Sequence, residues 1–358
     1  MLKLSREFLL TIALIIIIIA LIFLNIENSF IFVDEPNNVQ FDGNTINLSS
    51  LTLKQKIAQM LIVYEKEENK EVLRKMLIGG VYFEVRPSKS DFTNSINNFQ
   101  EDAIIPFFTA VDLEGCLNPF EMIQEFPASN EIATKEEAYN TGYEQGKLLK
   151  EMGFNINFAP VVDLNDSIWN CRSFTGTKEE IAEKADYYIA GLQENGVIAT
   201  SKHYPGKTLL ARDPHKFRVY AVITEDDLFP FRQNFKRNVS AVMVSHLIVN
   251  GSVDSEEKPS DVSEKLESGL RKNFDGLIIT DEIGMRGLRD FYSDSDKMYI
   301  DAFKSENDII LNFNFNHKNI IHMISVVEEA VNRGEISEER IDRSVTKILN
   351  AKGIMVVN

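Results

Sequence analysis

Between Met60 and Phe313, short apolar runs alternate with helix-length amphipathic segments. The runs are MLIVY (60–64), GGVYFE (79–84), FFTAVD (107–112), INFAPVVD (156–163), VIATSKH (197–203), AVMVSH (241–246), LIITDE (277–282) and DIILNF (308–313). Rich in β-branched and aromatic residues, they read as strands. The segments between them, such as EEAYNTGYEQGKLLKEMG and EEIAEKADYYIAGLQENG, carry helical periodicity and stop at glycine. Strands alternating with helices make a parallel sheet. Eight such units in about 300 residues predict a closed (β/α)8 barrel, an α/β fold in one domain. An open, doubly wound sheet is the alternative, but no Gly-x-Gly-x-x-Gly follows the first run, which counts against a dinucleotide fold. The 358 residues, 44% hydrophobic, supply one large core that a barrel of ordinary size nearly exhausts.

The N-terminus reads differently. FLLTIALIIIIIALIFL runs from Phe8 to Leu24 without a charge, and Lys3 and Arg6 precede it. Length and flanking charge predict an uncleaved signal anchor over 1–26, a transmembrane helix with a cytoplasmic N-terminus. A cleaved signal peptide is the rival reading, and NIENSF offers it only a poor cleavage site. Residues 27–50 read as a polar linker. The folded domain is expected over 51–358, opening at LTLKQKIAQM, where Thr52 and Gln55 have capping-box spacing. That places the domain outside the cytoplasm, on a cell membrane. A net charge of -16 repels phosphate backbones, so no nucleic-acid partner is expected. The two cysteines, Cys116 and Cys171, exclude a disulfide scaffold and allow one bridge, though their spacing does not say whether they meet.

Polar residues gather where a barrel builds its chemistry. Asp112, Asp163, Lys202, His203, His246, Asp281 and Glu282 all fall at the C-terminal ends of the runs, the catalytic face of such a fold. Each alone is equally a strand-end cap or a barrel-layer residue. Five strands doing this together point to function, because a buried strand end without polar demand stays apolar. Asp281, closing an apolar strand, is a candidate nucleophile or base. In Asp213-Pro214-His215 an acid two residues from an imidazole fixes its tautomer, which suits a proton donor that later becomes a base. A carboxylate nucleophile facing a proton donor is the layout of a retaining glycosidase, here with histidine for the second carboxylate; other hydrolytic chemistries stay open. The histidines lack metal-site spacing, although Asp213 and His215 are ligands in principle. There is no Gly-x-Ser-x-Gly elbow, and Cys116 has no base beside it in sequence.

These residues carry a resemblance. KHYPGKTLLARDPH (202–215) resembles the Lys-His-Phe-Pro-Gly-His-Gly signature, followed by Asp-Ser-His, of glycoside hydrolase family 3, in particular its single-domain β-N-acetylglucosaminidase branch. LTLKQKIAQMLIV, AVDLEG, NFAPVVDL with CRSF, GLIITDEIGM and ERIDRSVTKILNAKG look like further blocks of that family, in order, over residues 50–353. The resemblance implies that Asp281 forms a covalent glycosyl-enzyme. It implies that His215 is the acid/base on a mobile loop with Asp213 as its partner. It implies that Asp112, Arg172, Lys202 and His203 hold the hydroxyls and acetamido group of the terminal sugar. Neither metal nor cofactor is called for. The substrate implied is a glycan of cell-wall type losing terminal β-linked N-acetylglucosamine. A β-glucosidase, a phosphorylase or a weak glycan-binding relative are the alternatives. Besides the glycan and the membrane, no partner is expected.

The sequence also departs from that pattern. Lys207-Thr208 replaces His-Gly, LEGCL brings Leu113, Cys116 and Leu117, Phe120 stands where an arginine is expected, and Glu282 replaces a second aspartate. The proposed trio is intact while part of the sugar rim is altered. Lys207 is either a solvated lysine or a contact for an acidic sugar. Trp169 is either a stacking face for a sugar or an exposed loop aromatic.

Overall fold

The computed structural model describes residues 38–210 and 212–357. All eight runs contain a barrel strand: β1 (Leu61–Tyr64), β2 (Gly80–Tyr82), β3 (Phe108–Val111), β4 (Ile156–Asn157), β5 (Ile198–Tyr204), β6 (Ala241–Val244), β7 (Leu277–Glu282) and β8 (Ile309–Asn312). Each pairs in parallel with the next, and β8 returns to β1 with Ile310 opposite Leu61, so the barrel closes in chain order. Helices cover the outside while side chains fill the inside, which is why the runs read as continuously apolar rather than alternating. β4 is only two residues long. Pro160 lacks an N–H for the ladder, and the chain rejoins β5 through the Val161–Lys202 bridge.

The helices begin and end on local chemistry. Thr52 and Gln55 form the expected capping box and start the helix Leu53–Gln59. Thr134 and Thr177 do the same for Lys135–Met152 and Lys178–Glu194. The first of these stops at Gly153, whose φ of 96° is open to glycine. These two helices nearly touch backbone to backbone: a Cβ on Gly142 would lie 2.2 Å from the Tyr188 carbonyl oxygen, and one on Gly191 2.3 Å from that of Tyr139. Between sheet and helices, Phe83, Phe92, Phe99 and Phe154 interlock edge to face, with Phe83 and Phe154 centroids 5.8 Å apart. Within the stretch expected as a linker, Thr45–Asn47 forms a strand parallel to Met355–Val357, and Ile46 is fully buried.

One expectation is corrected. Among the described residues no helix is long and apolar enough to cross a membrane. Residues 1–26, on which the transmembrane helix was expected, lie outside the described residues. The fold of the described residues is built on the barrel, and the membrane partner and extracytoplasmic location drawn from that helix are not carried further.

Candidate active site

The strand ends deliver their polar side chains to one mouth. Lys202 lies near the end of β5, and its Nζ donates to Oδ1 of Asp112, just beyond β3, at 2.5 Å. The same ammonium contacts Glu114. Arg172, from the loop after β4, grips Glu114 with a two-pronged guanidinium bond, Nε to Oε2 at 2.6 Å and Nη2 to Oε1 at 2.8 Å. Asp112, Glu114, Arg172 and Lys202 thus form one cluster of two anions and two cations. Burial alone would raise the Glu114 carboxyl; Arg172 and Lys202 instead hold it well below the carboxylate range. Burial would lower the Lys202 ammonium, but Asp112 and Glu114 raise it.

Neighbouring backbone fixes this cluster. Asn157 in β4 clamps both polar groups of Leu113, accepting from its N–H at 2.8 Å and donating to its carbonyl at 3.0 Å. Asp166 gathers the amides of Trp169 (2.8 Å), Cys171 (3.1 Å) and Arg172 (2.9 Å), folding the loop that presents the guanidinium. A disulfide joins Cys116 to Cys171, one or two residues from Glu114 and Arg172. It closes a loop over a separation of 55 residues. Replacing both cysteines by serine is expected to cost roughly 2–4 kcal/mol in denaturant unfolding. It should also raise KM more than it lowers kcat, because the loops it joins carry the charged cluster at the mouth. Unchanged stability and unchanged KM would show that the bridge holds nothing.

His203 follows Lys202 and faces Asp163, in the segment after β4. Asp163 Oδ2 accepts the His203 amide at 3.2 Å and lies 3.1 Å from its Nδ1, while Oδ1 accepts the Thr208 amide at 2.8 Å. Thr208 therefore works here through its backbone. Lys207 is engaged elsewhere: its ammonium donates to the Val222 carbonyl at 2.6 Å and lies 3.2 Å from Asp227. Leu113 and Phe120 are fully buried, Phe120 packing on Phe92 at 4.8 Å, so these departures belong to the core. Trp169 is 45% exposed.

Asp281, near the end of β7, accepts the Glu282 amide at 2.8 Å. Burial would raise its carboxyl, but His246, His203 and His215, in that order, pull it below its usual value. His215 is thus brought into electrostatic reach of Asp281 although it lies 66 residues away in the chain. Its Nδ1 is 2.7 Å from Asp213 Oδ1, which also accepts the His215 amide at 3.0 Å. Burial would raise Asp213; the bonds from His215 lower it. The ring is half exposed, at 53%. The loop rests on the segment after β7, where the Gly287 amide donates to the Pro214 carbonyl at 2.9 Å. A Cβ on Gly287 would meet that oxygen at 2.8 Å, so the contact needs glycine. Glu282 turns the other way, and its Oε1 accepts the amides of Gly284 (2.9 Å) and Phe313 (3.2 Å).

Beside the charged cluster the mouth is aromatic. Tyr82 stacks on Phe313 at 4.6 Å, and Tyr64 meets Phe315 edge to face at 4.7 Å. The Tyr82 hydroxyl is pushed well up by burial and by the nearby Asp112 and Glu114. Among the described residues, no group of three or more His, Cys, Asp or Glu is placed to hold a metal ion. Every expected site residue thus lies at or beside this mouth. The reading by motif passed over Glu114, which neutralises two cations, Asp163, which orients His203, and Asp261, which binds His246. Only Asp163 had a positional signal, as a strand-end acid.

This chain is similar to several known proteins. Beta-hexosaminidase LpqI of Mycobacterium bovis is 26% identical over 330 residues, which is 85% of this chain and 83% of that protein. A beta-hexosaminidase of Nitrosomonas eutropha is 29% identical over 254 residues, 63% of this chain and 71% of that one. The solved structure of a glycoside hydrolase family 3 beta-N-acetylglucosaminidase from Paenibacillus superposes with a TM-score of 0.77 at 27% identity, over 84% of this chain and 62% of that chain. This chain therefore spans less than two thirds of the Paenibacillus protein. The pattern of the glycosyl hydrolase family 3 N terminal domain matches residues 52–351, a span that takes in all eight barrel strands, and the chain belongs to that family.

Proposed function

We propose that residues 51–358 are the catalytic domain of a retaining β-N-acetylhexosaminidase that releases terminal β-linked N-acetylglucosamine from cell-wall-type glycans. The observation that carries this reading is one buried carboxylate, Asp281, near a strand end and within electrostatic reach of His215, which sits on an exposed loop and is tied to its own aspartate. An Asp281 oxygen attacks the anomeric carbon while His215 gives its Nε2 proton to the departing glycosidic oxygen. Water then attacks the glycosyl-enzyme, His215 takes its proton, and the carboxylate is restored. Asp213 holds Nδ1, so Nε2 is the nitrogen that exchanges. Asp112, Arg172, Lys202 and His203 supply charged donors and acceptors for sugar hydroxyls and the acetamido group. Tyr82 and Phe313 offer an apolar face to the ring. The beta-hexosaminidase names of the relatives support the acetamido sugar.

The test is release of 4-nitrophenol from its β-N-acetylglucosaminide and its β-glucoside, with and without phosphate. Faster turnover of the acetamido substrate, indifferent to phosphate, is expected. Preference for the glucoside, or dependence on phosphate, would replace this reading. His215→Ala should lower kcat/KM by about 10²–10⁴ on a glycoside with a poor leaving group. The loss on 4-nitrophenyl substrate should be smaller, since 4-nitrophenolate leaves with little protonation. An equal loss on both substrates would remove His215 from the acid role.

A further inference from the structure

A buried pair adjoins Asp281 that neither catalytic role above uses. His246, just beyond β6, and Asp261, fifteen residues later, both have fully buried side chains. His246 Nδ1 lies 2.9 Å from Asp261 Oδ2, and its Nε2 lies 2.8 Å from the backbone oxygen of Glu282. A carbonyl oxygen only accepts, so Nε2 carries a hydrogen. Burial raises the Asp261 carboxyl while His246 opposes that rise; with the carboxylate accepting at Nδ1, the ring carries both protons and a positive charge. Burial opposes that charge, but Asp261 and then Asp281 outweigh it and push His246 up to about 9.

The surrounding charges leave this cation a defined task. Asp281 also faces His203 from β5, His215 from the loop after it, Arg172 from the loop after β4, and Glu282 on its own strand. Asp261 faces Glu267 and Tyr292 as well. Burial, followed by the nearby Asp261, pushes the Glu267 carboxyl well up, which disfavours a second anion beside the imidazolium. Glu282 is the hinge of the arrangement: its amide binds Asp281, its carbonyl binds His246, and its carboxyl oxygen takes two loop amides.

We infer that His246 is a positioning residue for Asp281: an imidazolium secured by Asp261, it pins the Glu282 carbonyl and keeps the Asp281 carboxylate charged. A bound sugar strips water from that carboxylate, and a fixed cation then takes over part of the water's role. The catalytic meaning of the inference rests on the nucleophile assignment proposed above.

Two variants separate charge from scaffold. Asp261→Asn keeps the ring and its bond to Glu282 but removes the anion that holds the second proton. His246→Asn removes the charge and keeps an amide donor. Both are read in two ways, by the acid limb of kcat/KM against pH and by carboxyl ¹³C titration of Asp281, its resonance identified by its loss in Asp281→Asn. Each should move the limb and the titration upward by at least about one pH unit, as for loss of a close opposite charge. A purely structural role would lower activity or stability without moving either. An Asp281 titration that stays put in folded Asp261→Asn protein overturns the inference, whatever becomes of His246→Asn. An upward titration in the variants, alongside wild-type protein that turns over no β-glycoside, keeps the charge role and sinks the nucleophile reading instead.

Discussion

Asp281→Asn abolishes turnover of the β-N-acetylglucosaminide while leaving the barrel folded: that is the largest effect expected of any single substitution here. The loss should fall between about 10³ and 10⁶ in kcat, the range for removing a nucleophile or an essential triad partner. The side chain keeps its size, and the asparagine carbonyl can still accept the Glu282 amide now bound by Asp281 Oδ1 at 2.8 Å. What disappears is the anion that the three imidazoles surround. Thermal unfolding should therefore change little, which separates chemistry from collapse. Wild-type protein quenched during turnover should show a glycosyl adduct on the peptide bearing Asp281, and the variant none. A folded variant with near-normal turnover would move the nucleophile elsewhere.

The barrel was legible in the chain because its strands bury both faces. A stretch such as LII (277–279) must be apolar at every position, and that continuity shows without any partner in view. The breaks were legible too, since Asp112, Lys202, His203 and Asp281 interrupt apolar runs at their ends. β4 was shorter than its run because a proline inside INFAPVVD withdraws an N–H from the ladder. The N-terminal apolar run was read as part of the fold from its own composition, and nothing in the described barrel bears on it.

Pairings between loops were not legible. Cys116 and Cys171 are bonded across 55 residues, and only the folding of two loops onto each other shows it. Lys207 looked like a free charge near the sugar, yet it docks on Val222 and Asp227 in the next helix–strand unit. Phe120 looked like a lost arginine and is an aromatic core residue. Asp261 sits in a polar PSDVS tract with no periodicity, so only its contact with His246 gives it meaning. Local pattern reports what a residue demands of its surroundings; it does not report which distant residue meets the demand.

Glu114→Gln should be the most destabilising change at the mouth. The Glu114 side chain is 1% exposed and lies between Arg172, 6% exposed, and Lys202, 3% exposed. Asp112 remains for Lys202, but its side chain is 31% exposed and solvated, so it cannot balance both cations. Removing one partner from a buried ionic cluster costs about 3–5 kcal/mol, because the charges left behind stay out of water. Urea unfolding should show that loss, and KM should rise as the guanidinium and ammonium are no longer held. Asp112→Asn, by contrast, should spare stability and weaken substrate binding. The pH dependence has a defined sign. The folded Glu114 carboxyl is held below its usual value, so its contribution is complete above the unfolded value of about 4.3 and is lost as pH falls toward the folded one. The gap between wild type and Glu114→Gln should therefore stay constant near neutrality and narrow only below about pH 4. A gap that is already absent at pH 7 would mean that water reaches this cluster, and that the sugar meets a solvated rim rather than a rigid, preformed set of charges.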